Sequence, residues 1–450
     1  MGHSIYFMQI QLGNSQKNTL FPKLVAIGFI TVASCVASFL ILPLAIERSQ
    51  RADEAIDAIA TQWAREQTLN GPIITIPTKT TRTQNEQQIV EDNFIFLLPD
   101  QLRYDVSLDT ETRSRGIFDA AVYTAHIKGS GTINTDMVST SDTTGTAQWE
   151  NAQLAINIPD MRGLESSGDL LWDGQKIAFT PSTPLAGVIS SGISAPLHMS
   201  MDAKEHAFSF DIVLRGSKSI SFIPLGKTTD VRITSNWASP NFSGEFLPKE
   251  REVHKTGFTA NWIVSSFGRP IPQSWSSTVT ADTDIIQENM QKSAFGVTLH
   301  QNVNFYTQVN RAVKYSILFI SLTFLAFFLF EILSKLRIHP LNYLLVGFAI
   351  ALFYLLLLSL SEHIGFLSAY TTSTLTTISL IAGYCRSVLK TKKRAGIIVA
   401  LLLALYVYLY ILLQLDELSL VVGSVVLFAV LASVMYLTRN IDWYEASRNE

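Results

Sequence analysis

Between residues 313 and 437 the chain strings five long apolar runs together with very short polar joints, and this limits its fold more than any other feature. The runs cover 313–333, 341–360, 367–384, 395–413 and 418–437. Crossing a hydrocarbon layer ~30 Å thick at about 1.5 Å per residue takes about twenty apolar residues, and a backbone without water must hydrogen-bond to itself. ALFYLLLLSL (351–360) and LLLALYVYLYILL (401–413) are apolar all round, whereas a soluble helix keeps a polar face. The stretch therefore reads as a bundle of membrane helices rather than a buried soluble core.

Lys and Arg accumulate in cytoplasmic joints, so the joints give an orientation. The joint 334–340 carries Lys335, Arg337 and His339; the next, 361–366, carries Glu362 and His363 without Lys or Arg. Arg386, Lys390, Lys392, Lys393 and Arg394 form the most basic joint, LDEL (415–418) is acidic with Asp416, and the last run ends at Arg439. The sides alternate, which places the basic joints and the C-terminus in the cytoplasm.

Residues 1–23 form a polar leader with Lys17 and Lys23, with Met8 a second candidate start, and 24–46 make the first crossing. A cleaved signal would have a shorter apolar run and an A-x-A site; this run continues through FLILPLAI to Glu47 and Arg48. Val32-Ala33-Ser34-Cys35 has the form of a lipoprotein cleavage tetrapeptide, but a further apolar run follows instead of a polar tether. Cys35 is read as a small packing residue. Beyond the membrane, Ala52, Ile56, Ile59, Ala60 and Trp63 share one face of an amphipathic helix over 47–70, stopped by Gly71-Pro72.

From 71 to 284 the pattern changes to short, β-branched or aromatic, mostly alternating segments, such as NFIFLLP (93–99), YDVSLDT (104–110) and AFSFDIVLRG (207–216), punctuated by Gly, Pro, Asn and Asp. This predicts an antiparallel sandwich or barrel, as one lobe or two. The Ser/Thr-rich stretch 134–146 reads as a loop or hairpin tip. The segment 285–312 returns the chain to the bilayer, with Phe305 and Tyr306 as interfacial aromatics and Lys314 able to snorkel, and 438–450 form a cytoplasmic tail. The expected fold class is thus membrane α+β: six transmembrane helices, one N-terminal and five C-terminal, with a large antiparallel β-rich periplasmic domain between the first and second. The two cysteines, Cys35 and Cys385, lie in or beside membrane segments at different depths, so no disulfide is expected.

Only 16% of the 450 residues are charged, 48% are hydrophobic, and the net charge is −3; no basic patch outside the cytoplasmic joints suits nucleic acid. Metal-protease, phosphate-loop, nucleophile-elbow and C-x-x-C motifs are absent from the sequence, and no cofactor is implied. Adjacent Glu362 and His363 suggest a proton relay or metal pair, although a solvated joint explains them more simply. Glu331 has Lys335 at i+4, the order that favours a helix-end pair. Thr371, Thr372, Ser373, Thr374, Thr376, Thr377 and Ser379 suit either a pore lining or hydroxyls bonded to their own helix. In the β region Arg113, Arg115, Asp119, Arg251 and Trp262 have the residue types that grip a carboxylate or sugar, while a turn ion pair and core tryptophans account for them equally well. The expected partners are the lipid bilayer and a periplasmic protein or glycan.

RSRGIFDAAVY (113–123), NFSGEFLPKEREV (241–253), GFTANW (257–262), RAVKYSILFISLTFLAFFLFE (311–331), RIHPLNYLLVGFAIALFYLLLLSLSEHIGF (337–366) and LTRNIDWY (437–444) occur in an order that resembles the CreD family of bacterial inner-membrane proteins. The resemblance spans nearly the whole chain and is weakest in the leader and the Ser/Thr-rich loop. It implies an inner-membrane protein associated with cell-envelope integrity, in some members regulated by the CreBC two-component system. It brings no catalytic residues to carry over. The leading expectation is a non-enzymatic envelope protein whose β domain binds an envelope component; a transporter or channel component is the alternative, and an envelope hydrolase a more distant one.

Overall fold

The computed structural model describes residues 20–84, 87–137, 146–182, 188, 190–199, 205–277, 280–299, 305–334, 338–389, 391–415 and 418–439. Most of the leader, residues 138–145 of the Ser/Thr-rich stretch read as a loop or hairpin tip, Lys335, Arg337, Lys390, Asp416 and residues 440–450 lie outside them. The chain divides into a helical unit, residues 1–51 and 303–450, and a β unit, residues 52–302.

Helix α1 (Leu20–Phe39) of the helical unit is followed after Leu40 by α2 (Ile41–Trp63), whose residues from Ala52 on are counted with the β unit. Helix α3 (Thr280–Lys292) belongs to the β unit. Helices α4 (Phe305–Lys314) and α5 (Ser316–Leu333) meet at a bend of 46°. Then come α6 (Pro340–Ile364), α7 (Phe366–Leu389), α8 (Lys392–Gln414) and α9 (Ser419–Thr438). Local chemistry sets the ends of α6: His339 Nδ1 accepts the Leu341 N–H at 3.2 Å, Pro340 occupies the first turn, and Gly365 at φ 76° closes it. Among the described residues four helices are long and apolar enough to cross a membrane, or five if α4 and α5 make one bent crossing. Helix α7 falls below that measure because of its hydroxyl run, so the helices that qualify number fewer than the six expected. Helix α9 has no buried residue in the unit, as befits a helix whose surroundings are lipid. Cys35 and Cys385 are both buried free thiols.

The β unit holds two large sheets around one contiguous core that runs from Leu69 to Leu299. Alternation predicts this correctly: the strand Gln101–Arg115 begins eBeBeBeB, each even-numbered side chain turned inward and each odd one outward. The pairing is not purely antiparallel, however. Gln67–Gln84 runs parallel to Ser219–Phe222, and Gln101–Arg115 parallel to Thr228–Ser235. Both pairings join strands far apart in sequence, which no hairpin signal announces. The unit also reaches beyond its expected limits. Helix α2 ends at Trp63, and Gly71-Pro72, read as its stop, lies inside the strand Gln67–Gln84. At the other end Phe295–Leu299, read as part of a return segment, pairs on both sides, with Ser219–Phe222 and Pro240–Gly244.

Large aromatics fill the core. Tyr104, Tyr123 and Trp262 are fully buried, and each polar tip has an acceptor: Tyr104 donates to Gly71 O, Tyr123 to Ser219 O at 2.8 Å, and Trp262 Nε1 to Phe246 O at 3.1 Å. Gly129 is required where it stands, since a Cβ there would lie 2.1 Å from the Phe210 ring on the neighbouring strand. The α2 stripe behaves as its spacing predicts: Ala52, Ile59 and Ala60 are buried, and Ile56, Ile59 and Trp63 pack on Ala120 and Val122.

Candidate functional site

The fold does not gather the sequence candidates into one site. The Arg113 guanidinium lies 3.9 Å from the centre of the Trp63 ring, with Arg215 at 4.9 Å, and Arg113 Nε donates to Glu111 at 2.8 Å. Asp119 accepts the Ser114 hydroxyl at 2.6 Å across the hairpin, while Arg115 is exposed beside the turn glycine Gly116, φ 67°. Arg251 stands 5.9 Å over Phe242, whose ring meets Trp262 edge-on at 5.8 Å. These contacts stack cations on rings and close a turn, the Ser114–Asp119 bond being the link across that hairpin.

In the helical unit the neighbours Glu362 and His363 diverge, because adjacent positions on a helix point about 100° apart. Glu362, its side chain only 6% exposed, accepts the Tyr306 hydroxyl at 3.0 Å and lies 3.7 Å from Arg48. His363 is exposed, with Nδ1 3.1 Å from Ser359 O of its own helix. Glu362 thus ties together α2, α4 and α6. Glu331 is nearly fully buried, and its partners are Lys23, the Tyr343 hydroxyl at 2.8 Å and the Ile338 N–H at 2.6 Å. Lys335, the expected partner, lies outside the described residues; among these the cation at Glu331 comes from α1, more than three hundred positions away, at a range where sequence spacing is silent. In α7, Thr371 and Thr376 return their hydroxyls to their own helix, and Ser373, Thr374 and Thr377 face inward and are buried.

A concave feature of the β unit lies elsewhere, on the outer face of the nine-stranded sheet. There a groove of ≈ 600 Å³ is lined by Arg103, Asp105, Lys128, Asp169, Lys176 and Asp211, with Ser130, Ser209 and Leu171 among its smaller side chains. Register explains the assembly. Asp105, Lys128 and Asp211 stand opposite one another on three adjacent strands. In the next outward-facing row Arg103 opposes Ser130, Ser130 opposes Ser209, Ser209 opposes Leu171, and Leu171 opposes Lys176. Opposite charges on neighbouring strands commonly pair, yet none of these six closes an ion pair with a described residue. Sequence reading missed the groove because its residues are more than a hundred positions apart at the extremes. One signal was available: Asp173-Gly174 is the dipeptide of a two-residue hairpin, and with φ of 47° and 82° it turns Leu170–Trp172 back onto Gln175–Ile177, so that Lys176 faces Leu171.

A family profile described as Inner membrane protein CreD matches residues 19–444. The chain belongs to the CreD family. Inner membrane protein CreD of Escherichia coli (strain K12) is 33% identical to it over 436 residues, covering 96% of this chain and 95% of that protein. CreD membership agrees with the order of motifs from RSRGIFDAAVY to LTRNIDWY and makes this an inner-membrane protein of a family not named for an enzymatic activity. Among solved structures, M1 zinc metallopeptidase from Deinococcus radiodurans aligns with 9% identity over 39% of this chain and 40% of its own, at a TM-score of 0.19. A likeness that weak carries no argument about CreD chemistry.

Proposed function

We propose that this CreD-family chain is a non-enzymatic inner-membrane protein of cell-envelope integrity and stress response, which holds its β unit in the periplasm to bind another envelope component, a protein or a glycan. Six crossings are counted in this reading: the helix pair α1–α2, the bent pair α4–α5, and α6 to α9. Helix α7 is counted as the sixth: Thr371 and Thr376 bond to its own backbone and Ser373, Thr374 and Thr377 are turned inward, which lowers the cost of placing these hydroxyls in lipid. The basic joint at Lys392, Lys393 and Arg394, with both lysines exposed and Arg394 half-buried, supports a cytoplasmic side there, and with it cytoplasmic termini.

The observation that carries the binding role is the groove on the outer sheet face, where charged side chains stand without partners of their own. A transport role would need Glu362, His363 and the α7 hydroxyls on one wet path; the separate surroundings of Glu362 and His363 give it no support. Photo-reactive residues distributed over the β unit in intact cells test the proposal. A recurrent envelope adduct is expected, and recovering none under varied envelope stress refutes it.

A further inference from the structure

We infer that the groove on the nine-stranded sheet binds an extended peptide carrying both free amines and free carboxylates. The inference rests on the envelope-binding reading above and deepens it, choosing peptide over glycan and fixing the site. Its first support is charge. Three cations, Arg103, Lys128 and Lys176, face one groove with three carboxylates, Asp105, Asp169 and Asp211. A polyanion would be attracted by the first set and repelled by the second, so the complementary ligand is zwitterionic.

The second support is arrangement. Arg103 and Lys176 stand at the two ends of one cross-strand row, four strand spacings apart, which is ~19 Å. That length matches about six extended residues and exceeds what a single lipid headgroup can span. Between the ends the bed is formed by the small side chains of Ser130 and Ser209, with the exposed apolar side chain of Leu171 beside them. Asp211 and Asp169 stand together at one side, the strand edges being joined by the Gly168 N–H donating to Asp211 O at 2.8 Å. An amine between these two aspartates and carboxylates towards Arg103 and Lys176 would satisfy the row.

The third support is the lack of local compensation. Asp105, Lys128 and Asp211 are registered neighbours that could have paired and do not, so ligand groups need not first break protein ion pairs. A sugar site, by contrast, offers a ring to stack on, and the one aromatic among the lining residues, Phe210, is buried with its ring packed against Gly129.

The test uses the full chain in detergent and isothermal titration with a hexapeptide bearing a central lysine and a glutamate towards each end. Two controls carry the acetylated lysine or glutamines in place of the glutamates. Saturable binding is expected, weakened about tenfold or more in either control. Asp211→Asn should abolish discrimination against the acetylated peptide, and Arg103→Gln discrimination against the glutamine peptide; both positions are exposed, and far-UV circular dichroism should be unchanged. Equal binding of the controls, or no binding up to about 1 mM by a chain with intact dichroism, overturns the inference. A photo-reactive residue in place of Leu171 separates the two levels in cells. Adducts from that position without peptide binding refute the peptide and leave envelope binding standing. Adducts only from elsewhere on the β unit refute the groove, and none from any position refutes the broader proposal as well.

Discussion

Asp160 marks the place where α2 hands over to the sheets, and its removal is expected to loosen that junction measurably. Its Oδ2 accepts the Arg65 N–H at 3.0 Å and Arg162 Nη2 at 2.6 Å, and its Oδ1 accepts Arg162 Nε at 2.9 Å and Arg162 N–H at 3.2 Å. Arg162 in turn donates to Thr61 O at 2.8 Å, and Gln67 Nε2 to the Asp160 carbonyl at 3.0 Å. The Arg162 guanidinium beside it holds the Asp160 carboxyl at about 2, down from 3.8. Taken whole, that fall is equivalent to about 2.4 kcal/mol. Arg162 is 55% exposed, however, and solvent screening brings the expectation to about 1–2 kcal/mol. Because the folded-state value is depressed, this stabilisation is complete above about pH 4 and is lost as pH falls through about 2. Asp160→Asn should therefore raise amide hydrogen exchange over residues 61–67 by about five- to thirtyfold at pH 7. The ratio of variant to wild-type exchange should shrink towards unity between pH 4 and pH 2. Unchanged exchange at pH 7, or a ratio that does not vary with pH, would show that the carboxylate does not hold this junction.

Two further expectations concern the helical unit. Glu331→Ala takes the buried anion away from Lys23, whose side chain is 15% exposed, and should cost about 3 kcal/mol in detergent thermal denaturation, whereas Lys23→Met with Glu331→Gln should recover at least half of the loss, the amide oxygen still accepting from Tyr343. A double variant no better than the single one would contradict the pairing. Glu362→Ala should destabilise by about 1–3 kcal/mol through the loss of Tyr306 and Arg48 as partners, while His363→Ala stays within about 0.5 kcal/mol; equal effects would mean that the two residues act as a unit after all.

The long apolar runs were enough to specify crossing helices, because a span of about twenty apolar residues is a local property that no distant contact alters. Alternation in YDVSLDT was likewise enough to specify an outward and an inward face, and the stripe Ala52, Ile56, Ile59, Ala60 and Trp63 a packed side of α2. Register between strands far apart in the chain is another matter. It brought Arg103, Lys128, Asp169 and Lys176 into one groove, introduced two parallel pairings and gave Glu331 a partner on α1. Each of those outcomes depends on which segments share a core. Side-chain periodicity fixes only the direction in which a residue points, and tertiary packing decides what it meets there.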